Sequence, residues 1–265
     1  MRIVVPIKQV PETNAVKMDP ETGTMIREGV DAIVNPLDLY AIEAALRLRE
    51  AHGGEIIAIS MGPPRAESAL REAISMGCDG GVLASGREFA GSDTWATSYA
   101  LAAVVRKLGE VDLVLCGERA TDGDTGQVGP GIAAFLDWPI VSYVSEFSAV
   151  AGSTARVHRL VEAGHEVLDV DLPAVMTVIK EIGDPRLPTL RGKQHSRAVD
   201  VPVWGADELG VDAKELGLSG SPTQVVKIFR PTVTRQCETH LAGDDGSIRE
   251  SADRLVAFLK ERQLL

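Results

Sequence analysis

Val111-Asp112-Leu113-Val114-Leu115-Cys116 runs directly into Gly117-Glu118-Arg119-Ala120-Thr121-Asp122-Gly123-Asp124-Thr125-Gly126-Gln127-Val128-Gly129-Pro130, and that junction decides the fold. The first part is a short, unalternating apolar run, the pattern of a strand buried on both faces of a parallel sheet. The second is a glycine-rich turn that opens a helix with Val128, Ile132, Phe135 and Leu136 on its apolar face. A turn placed between the carboxyl end of a strand and a helix N-terminus presents unpaired N–H groups and the positive end of the helix dipole, which suits a phosphate. Thr125 and Gln127 can add side-chain hydrogen bonds. The spacing is neither G-x-G-x-x-G nor G-x-x-x-x-G-K-S/T, so a long capping loop without a ligand is the alternative. Asp122 and Asp124 would repel a phosphate, and are expected to face ribose hydroxyls, cap the helix or lie in water.

Outward from this junction the same alternation repeats. Apolar runs at residues 3–7, 55–61, 81–84 and 140–144 are separated by amphipathic stretches, the clearest carrying Ala41, Ala44, Ala45 and Leu48 and ending at Gly53-Gly54. This predicts an α/β fold: a mostly parallel, Rossmann-like sheet with flanking helices and right-handed crossovers. After Val144, strand patterns at residues 154–161 and 166–170 around Ala163-Gly164 predict an antiparallel hairpin, followed by a returning core strand at 173–179. Residues 181–199 carry Gly183, Asp184-Pro185, Pro188 and Gly192 among Arg186, Arg191, Lys193 and Arg197, and read as a long basic loop. Beyond Arg230 the chain turns polar. A last helix is expected to open at Ser247, with Glu250 completing a capping box and Ile248, Ala252, Leu255, Val256 and Leu259 forming one apolar face. The expected organisation is one α/β domain over residues 1–230 and a C-terminal arm over 231–265.

Composition narrows the function. The formal net charge of -11 over 265 residues repels nucleic-acid phosphates and anionic membrane surfaces. No apolar run is long enough to span a bilayer, and the N-terminus enters a strand without a signal-peptide layout, so a cytoplasmic location and no membrane insertion are expected. Cys78, Cys116 and Cys237 are widely spaced, with no C-x-x-C pair, and read as structural thiols. The five histidines form no ligand pattern. No Ser-His-Asp or Cys-His arrangement is legible, which favours a cofactor holder with no catalytic acid or base over a hydrolase.

Two further segments have a recognisable local pattern, and the second lies at a strand's carboxyl end, where an α/β sheet binds ligands. Asn35-Pro36-Leu37-Asp38 opens the Ala41 helix, and each residue there has a local purpose as N-cap, first-turn proline or dipole partner. Met61-Gly62-Pro63-Pro64 ends a strand and can be read as a simple turn.

These segments, with Ile7-Lys8-Gln9-Val10-Pro11 and the glycine-rich loop, resemble the beta subunits of electron-transfer flavoproteins in order and separation from Met1 to about Pro231. The resemblance implies an adenine-nucleotide-hydrolase-like sheet and one nucleotide pocket touching Pro6, Asn35, Pro36, Leu37, Asp38, Met61 and residues 117–128. It implies a larger, flavin-carrying alpha subunit as partner, embraced by the C-terminal arm. The pocket holds AMP in one branch of the family. In the other it holds a second FAD, which NADH reduces and whose electrons part toward high- and low-potential acceptors. Gly123, Gly126, Met61 and Gly220-Ser221-Pro222-Thr223 favour FAD. The expected acceptors are a flavin dehydrogenase or quinone-linked partner and a ferredoxin or flavodoxin. Leu190, in the basic loop, is the implied apolar anchor for the dehydrogenase. A nucleotide-binding stress or signalling protein is the rival on the same sheet. An ATP-using ligase would need a serine-glycine loop where Lys8-Gln9-Val10-Pro11 stands.

Overall fold

Alternate residues of the central strands point to opposite faces, and here both faces are covered. The computed structural model describes residues 1–12, 17–18, 25–26, 32–226, 237, 239–241 and 243–265. The chain forms two units, Met1–Val226 and Lys227–Leu265. The expected boundary near residue 230 falls outside the described residues.

In the first unit nine strands make one sheet: β1 (Arg2–Pro6), β2 (Glu55–Met61), β3 (Gly80–Ala84), β4 (Leu113–Gly117), β5 (Ile140–Ala151), β6 (Thr154–Val161), β7 (Gly164–Asp171), β8 (Ala174–Val178) and β9 (Val203–Trp204). Their order across the sheet is β7-β6-β5-β8-β4-β1-β2-β3-β9. All pairs are parallel except β6–β7, the expected antiparallel hairpin, and β5–β6, an antiparallel pair that was not expected.

Helices α1 (Pro36–His52) and α2 (Glu67–Met76) contribute Ile42, Leu46, Leu70 and Ile74 to one core, where they meet Ile3, Val5, Ile56, Leu113 and Leu115 of the strands. Helices α3 (Thr94–Leu108) and α4 (Val128–Leu136) contribute Leu101, Val104 and Ile132 to a second core with Val4, Ile59, Val82, Val114 and Val175. Ile3 and Val5 therefore face one layer and Val4 the other, which is why these strands read as continuous apolar runs.

Three expectations need correction. The run at 140–144 does not end at Val144: β5 continues to Ala151, because its second half pairs with β6 and needs only one buried face. Tyr143 sits in that strand at φ 63°, and the β5–β8 register shifts beside it. Residues 190–198 are not loop but helix α5 (Leu190–Ala198). Thr189 caps it, its hydroxyl oxygen accepting from Gly192 N at 2.9 Å. Gly192 is needed because a Cβ there would lie 2.0 Å from the Ser75 carbonyl of α2. In the second unit, the N-cap of α6 (Asp245–Glu261) lies three residues before the expected Ser247. It is Asp244, whose carboxylate accepts from Ser247 N at 2.8 Å while the Ser247 hydroxyl accepts from Asp244 N at 3.1 Å. Ile248, Leu255, Val256 and Phe258 of α6 are each 42–59% exposed.

Candidate functional site

The strand order places the site. From β1 the chain proceeds to β2 and β3 on one side, then returns to put β4 on the other side of β1. Connections leaving the carboxyl ends of β1 and β4 diverge to opposite faces, which opens a crevice at the point where α/β sheets take their ligands. Pro6 ends β1 and is buried; Gly117 ends β4. Met61 ends β2, the next strand over, half-buried against the α3/α4 core.

Gly117 lets two elements meet. A Cβ at this position would stand 2.4 Å from Asp38 Oδ1 and 2.8 Å from the carbonyl carbon and oxygen of Leu37. The start of α1 therefore lies directly on the end of β4. Pro36 occupies the first turn of α1, and Leu37 behind it is half-buried.

Asn35 is fully buried, and its side chain does not cap α1 as its residue type led us to expect. Instead the amide reaches across to the loop after β4. Its Nδ2 donates to Asp38 Oδ1 (2.9 Å) and to the Arg119 carbonyl (2.8 Å), while its Oδ1 accepts from Thr121 N (3.1 Å). Asp38, also buried, accepts at its second oxygen from Lys8 N at 2.8 Å. Burial pushes the Asp38 carboxyl up to about 7, against the opposing pull of its bonds from Asn35 and Lys8. Lys8 closes the ring, its Nζ standing 2.7 Å from Asp122 Oδ1. Lys8 is the participant that sequence reasoning missed. The available signal was its position, the second residue beyond a strand at the carboxyl edge.

The loop itself is open. Asp122 is held by Lys8, and Asp124, at φ 53°, lies 3.2 Å from Arg119 Nε; neither caps α4. Arg119 also meets Glu118 at 3.4 Å. The Ala120 carbonyl accepts from Asp124 N at 2.8 Å, which tightens the turn. Gly123 has no atom within 4 Å of where a Cβ would stand, and Gly126 sits at φ 61°. Thr125 is exposed; Gln127 is exposed and its amide oxygen accepts from the Thr94 hydroxyl at 3.0 Å. No side chain caps α4 at Gln127, and Pro130 has no N–H, so the helix start offers the N–H groups of Val128 and Gly129 without a side-chain partner. An uncapped helix terminus approached through bare backbone fits the phosphates of a nucleotide.

The structure thus gathers Pro6, Asn35, Pro36, Leu37, Asp38 and residues 117–128 at one crevice, with Met61 at its flank. Leu190 is elsewhere, 89% exposed at the start of α5, which packs on α2. Beside it Arg186 is not free: it binds Glu43 through Nε at 2.8 Å and Glu50 through Nη2 at 3.1 Å. Of the cysteines, Cys78 and Cys116 are buried and their thiols pushed up by burial; Cys237 is exposed, so a structural role accounts for two of the three. Among the described residues, no helix is long and apolar enough to cross a membrane.

A family model described as "Electron transfer flavoprotein domain" matches residues 22–209. The chain is 45% identical over 266 residues to the "Caffeyl-CoA reductase-Etf complex subunit CarD" of Acetobacterium woodii, covering all of both chains. It is 46% identical to an "Electron transfer flavoprotein subunit beta" of Thermoanaerobacterium thermosaccharolyticum, again over the whole of both. With "Protein FixA" of Azorhizobium caulinodans the identity is 43%, over 99% of this chain and 95% of the relative.

Proposed function

This chain belongs to the electron transfer flavoprotein family as a beta subunit, and on that footing we propose that its switch-point crevice holds FAD rather than AMP. The observation that carries this reading is the uncapped start of α4, reached through Gly123 and Gly126. Small residues let the backbone approach a diphosphate, which FAD has and AMP lacks. When bound, FAD supplies the redox chemistry, taking electrons from NADH and parting them between a low-potential acceptor of ferredoxin or flavodoxin type and the flavin of the alpha subunit. The chain's own residues bind and orient. Pro6, Asn35, Pro36, Leu37, Asp38 and Met61 wall the pocket, and residues 117–128 receive the phosphates. No acid or base from this chain is needed. The relative CarD bears the name of a caffeyl-CoA reductase complex, which supports a CoA-ester reductase or dehydrogenase as the high-potential partner here. A cytoplasmic location is part of the same reading. Acid extraction and chromatography of the heterodimer should yield two FAD. One FAD with one AMP would overturn the FAD assignment and with it the bifurcating role.

The C-terminal unit, in this reading, is the arm that embraces the alpha subunit. Burying a large apolar side chain contributes about 1.5–3 kcal/mol. Replacing Leu255 and Phe258 of α6, both at least half exposed, by Ser should therefore weaken the heterodimer more than tenfold in sedimentation experiments. Unchanged association would show that this face serves another purpose.

A further inference from the structure

Both oxygens of the buried Asp38 carboxylate accept hydrogen bonds, and both donors lead into the same loop. Oδ1 takes Asn35 Nδ2 at 2.9 Å, and the Asn35 amide in turn holds Arg119 O at 2.8 Å and Thr121 N at 3.1 Å. Oδ2 takes Lys8 N at 2.8 Å, and the Lys8 ammonium holds Asp122 at 2.7 Å. The donor pattern around Asp38 allows no simple substitute. A proton on Oδ2 would confront the Lys8 N–H, donor against donor. A proton on Oδ1 would confront Asn35 Nδ2, and turning the Asn35 amide to meet it would set Oδ1 against the Arg119 carbonyl and Nδ2 against Thr121 N–H. A protonated carboxyl is the weaker acceptor and turns one of its lone pairs into a donor, so the clasp on residues 119–122 is tightest with Asp38 ionised.

We propose that Asp38 is a positioning residue that couples nucleotide binding to proton release, its carboxylate holding the 119–122 turn in the shape that receives the nucleotide. This rests on the reading of the crevice as the FAD site. The titratable groups facing Asp38 are Lys8 and Asp122 from the two loops and Cys116 from β4; Arg119 is turned outward onto Glu118 and Asp124. Burial, the dominant influence, raises the Asp38 carboxyl to about 7 in the folded chain, so ionised and protonated forms exchange within the working range of a cell. The sign follows from linkage: if only the ionised form is competent, apparent affinity scales with the ionised fraction.

The test is FAD affinity of the full-length heterodimer by equilibrium dialysis between pH 6 and pH 8. FAD is the probe because its diphosphate does not titrate in this range, whereas the monoester of AMP does. A group titrating near 7 gives about a tenfold loss of affinity from pH 8 to pH 6. Over the same range the Thr121 and Lys8 amides should lose protection from hydrogen exchange, after correction for intrinsic rates. Asp38→Asn keeps an acceptor oxygen for one donating neighbour and sets an NH2 against the other; it should bind about tenfold more weakly than the wild type at pH 8 and show no slope. Affinity that is flat with pH, or a slope that persists in Asp38→Asn, would overturn the proposal while leaving the FAD site standing. A beta-chain crevice that binds no FAD at any pH would overturn both.

Discussion

Gly117→Val should cost both the nucleotide and much of the fold's stability, whereas Gly123→Ala should cost only the nucleotide. Gly117 is packed against backbone: its Cβ would fall 2.8 Å from Leu37 C and O and 2.4 Å from Asp38 Oδ1. Backbone at a helix start cannot turn aside as a flexible side chain can, so the N-terminus of α1 would have to leave β4. Overpacking of this kind costs about 1–3 kcal/mol, and the rigid neighbour puts Gly117→Val at the upper end. Denaturant titration of the full-length chain should show the loss. Flavin retained on gel filtration should fall with it, since the Asn35–Asp38 clasp moves with α1. Gly123 meets nothing within 4 Å, and its backbone is not in the left-handed region. Alanine there should leave the denaturation midpoint in place, so any loss of FAD reports close approach of the ligand. A Gly117→Val chain of unchanged stability would mean that α1 and β4 separate freely.

Arg186→Ala should destabilise the chain by about 2–3 kcal/mol, less than the 3–5 kcal/mol of a fully orphaned buried charge. The reason is Glu43, whose side chain is 4% exposed on α1 and which keeps one cation, Arg47 Nε at 2.8 Å, when Arg186 is lost. Burial alone would raise the Glu43 carboxyl, but hydrogen bonds from Arg186 and Arg47 outweigh it and hold it below its ordinary value of 4.5. Because the folded value is lowered, the wild-type advantage is present above pH 4.5 and disappears as the pH falls below it. Lysine should not restore it, since the Arg186 guanidinium meets both oxygens of Glu43 at once, through Nε and Nη2. The same anchor holds the segment that carries Leu187 and Leu190, 85% and 89% exposed, which we propose as the dehydrogenase-docking surface. Electron transfer to the dehydrogenase should thus fall in Arg186→Ala, and in Leu190→Ala without any loss of stability or flavin. Flavin loss in Leu190→Ala would remove the docking assignment.

Strand runs and the loop at 117–128 were legible because each is a local pattern. A strand covered on both faces reads as apolar whatever its neighbours, and a helix opened by glycines reads as an anion site. Pairing across the sequence was less legible. Asn35 is a good N-cap by type, yet its amide is spent on Arg119 and Thr121, more than 80 positions away. Asp122 and Asp124 had three expected roles, and ion pairing with Lys8 and Arg119 was not among them. Helix α5 was hidden because its glycine reads as a breaker, although the glycine is what allows the helix to lie on Ser75. In β5 a single sequence run serves two different neighbours, parallel β8 and antiparallel β6, and periodicity alone marked only the first.

The two rims of the sheet carry a consequence for how this subunit lives before and after it meets its partner. One rim is β9, two residues long, too short to template another chain. The other is β7, whose edge is studded with Glu166, Asp169 and Asp171, two of them engaged by Arg159 and Arg156 of β6. Short edges and charged edges both discourage intruding strands. A sheet ended in this way resists extension into fibrils while the chain waits, newly made, for its companion. It also leaves recruitment to side-chain surfaces, the roles proposed above for α6 and the Leu187–Leu190 segment, where specificity is set by shape and charge instead of by the backbone ladder that any extended peptide could share.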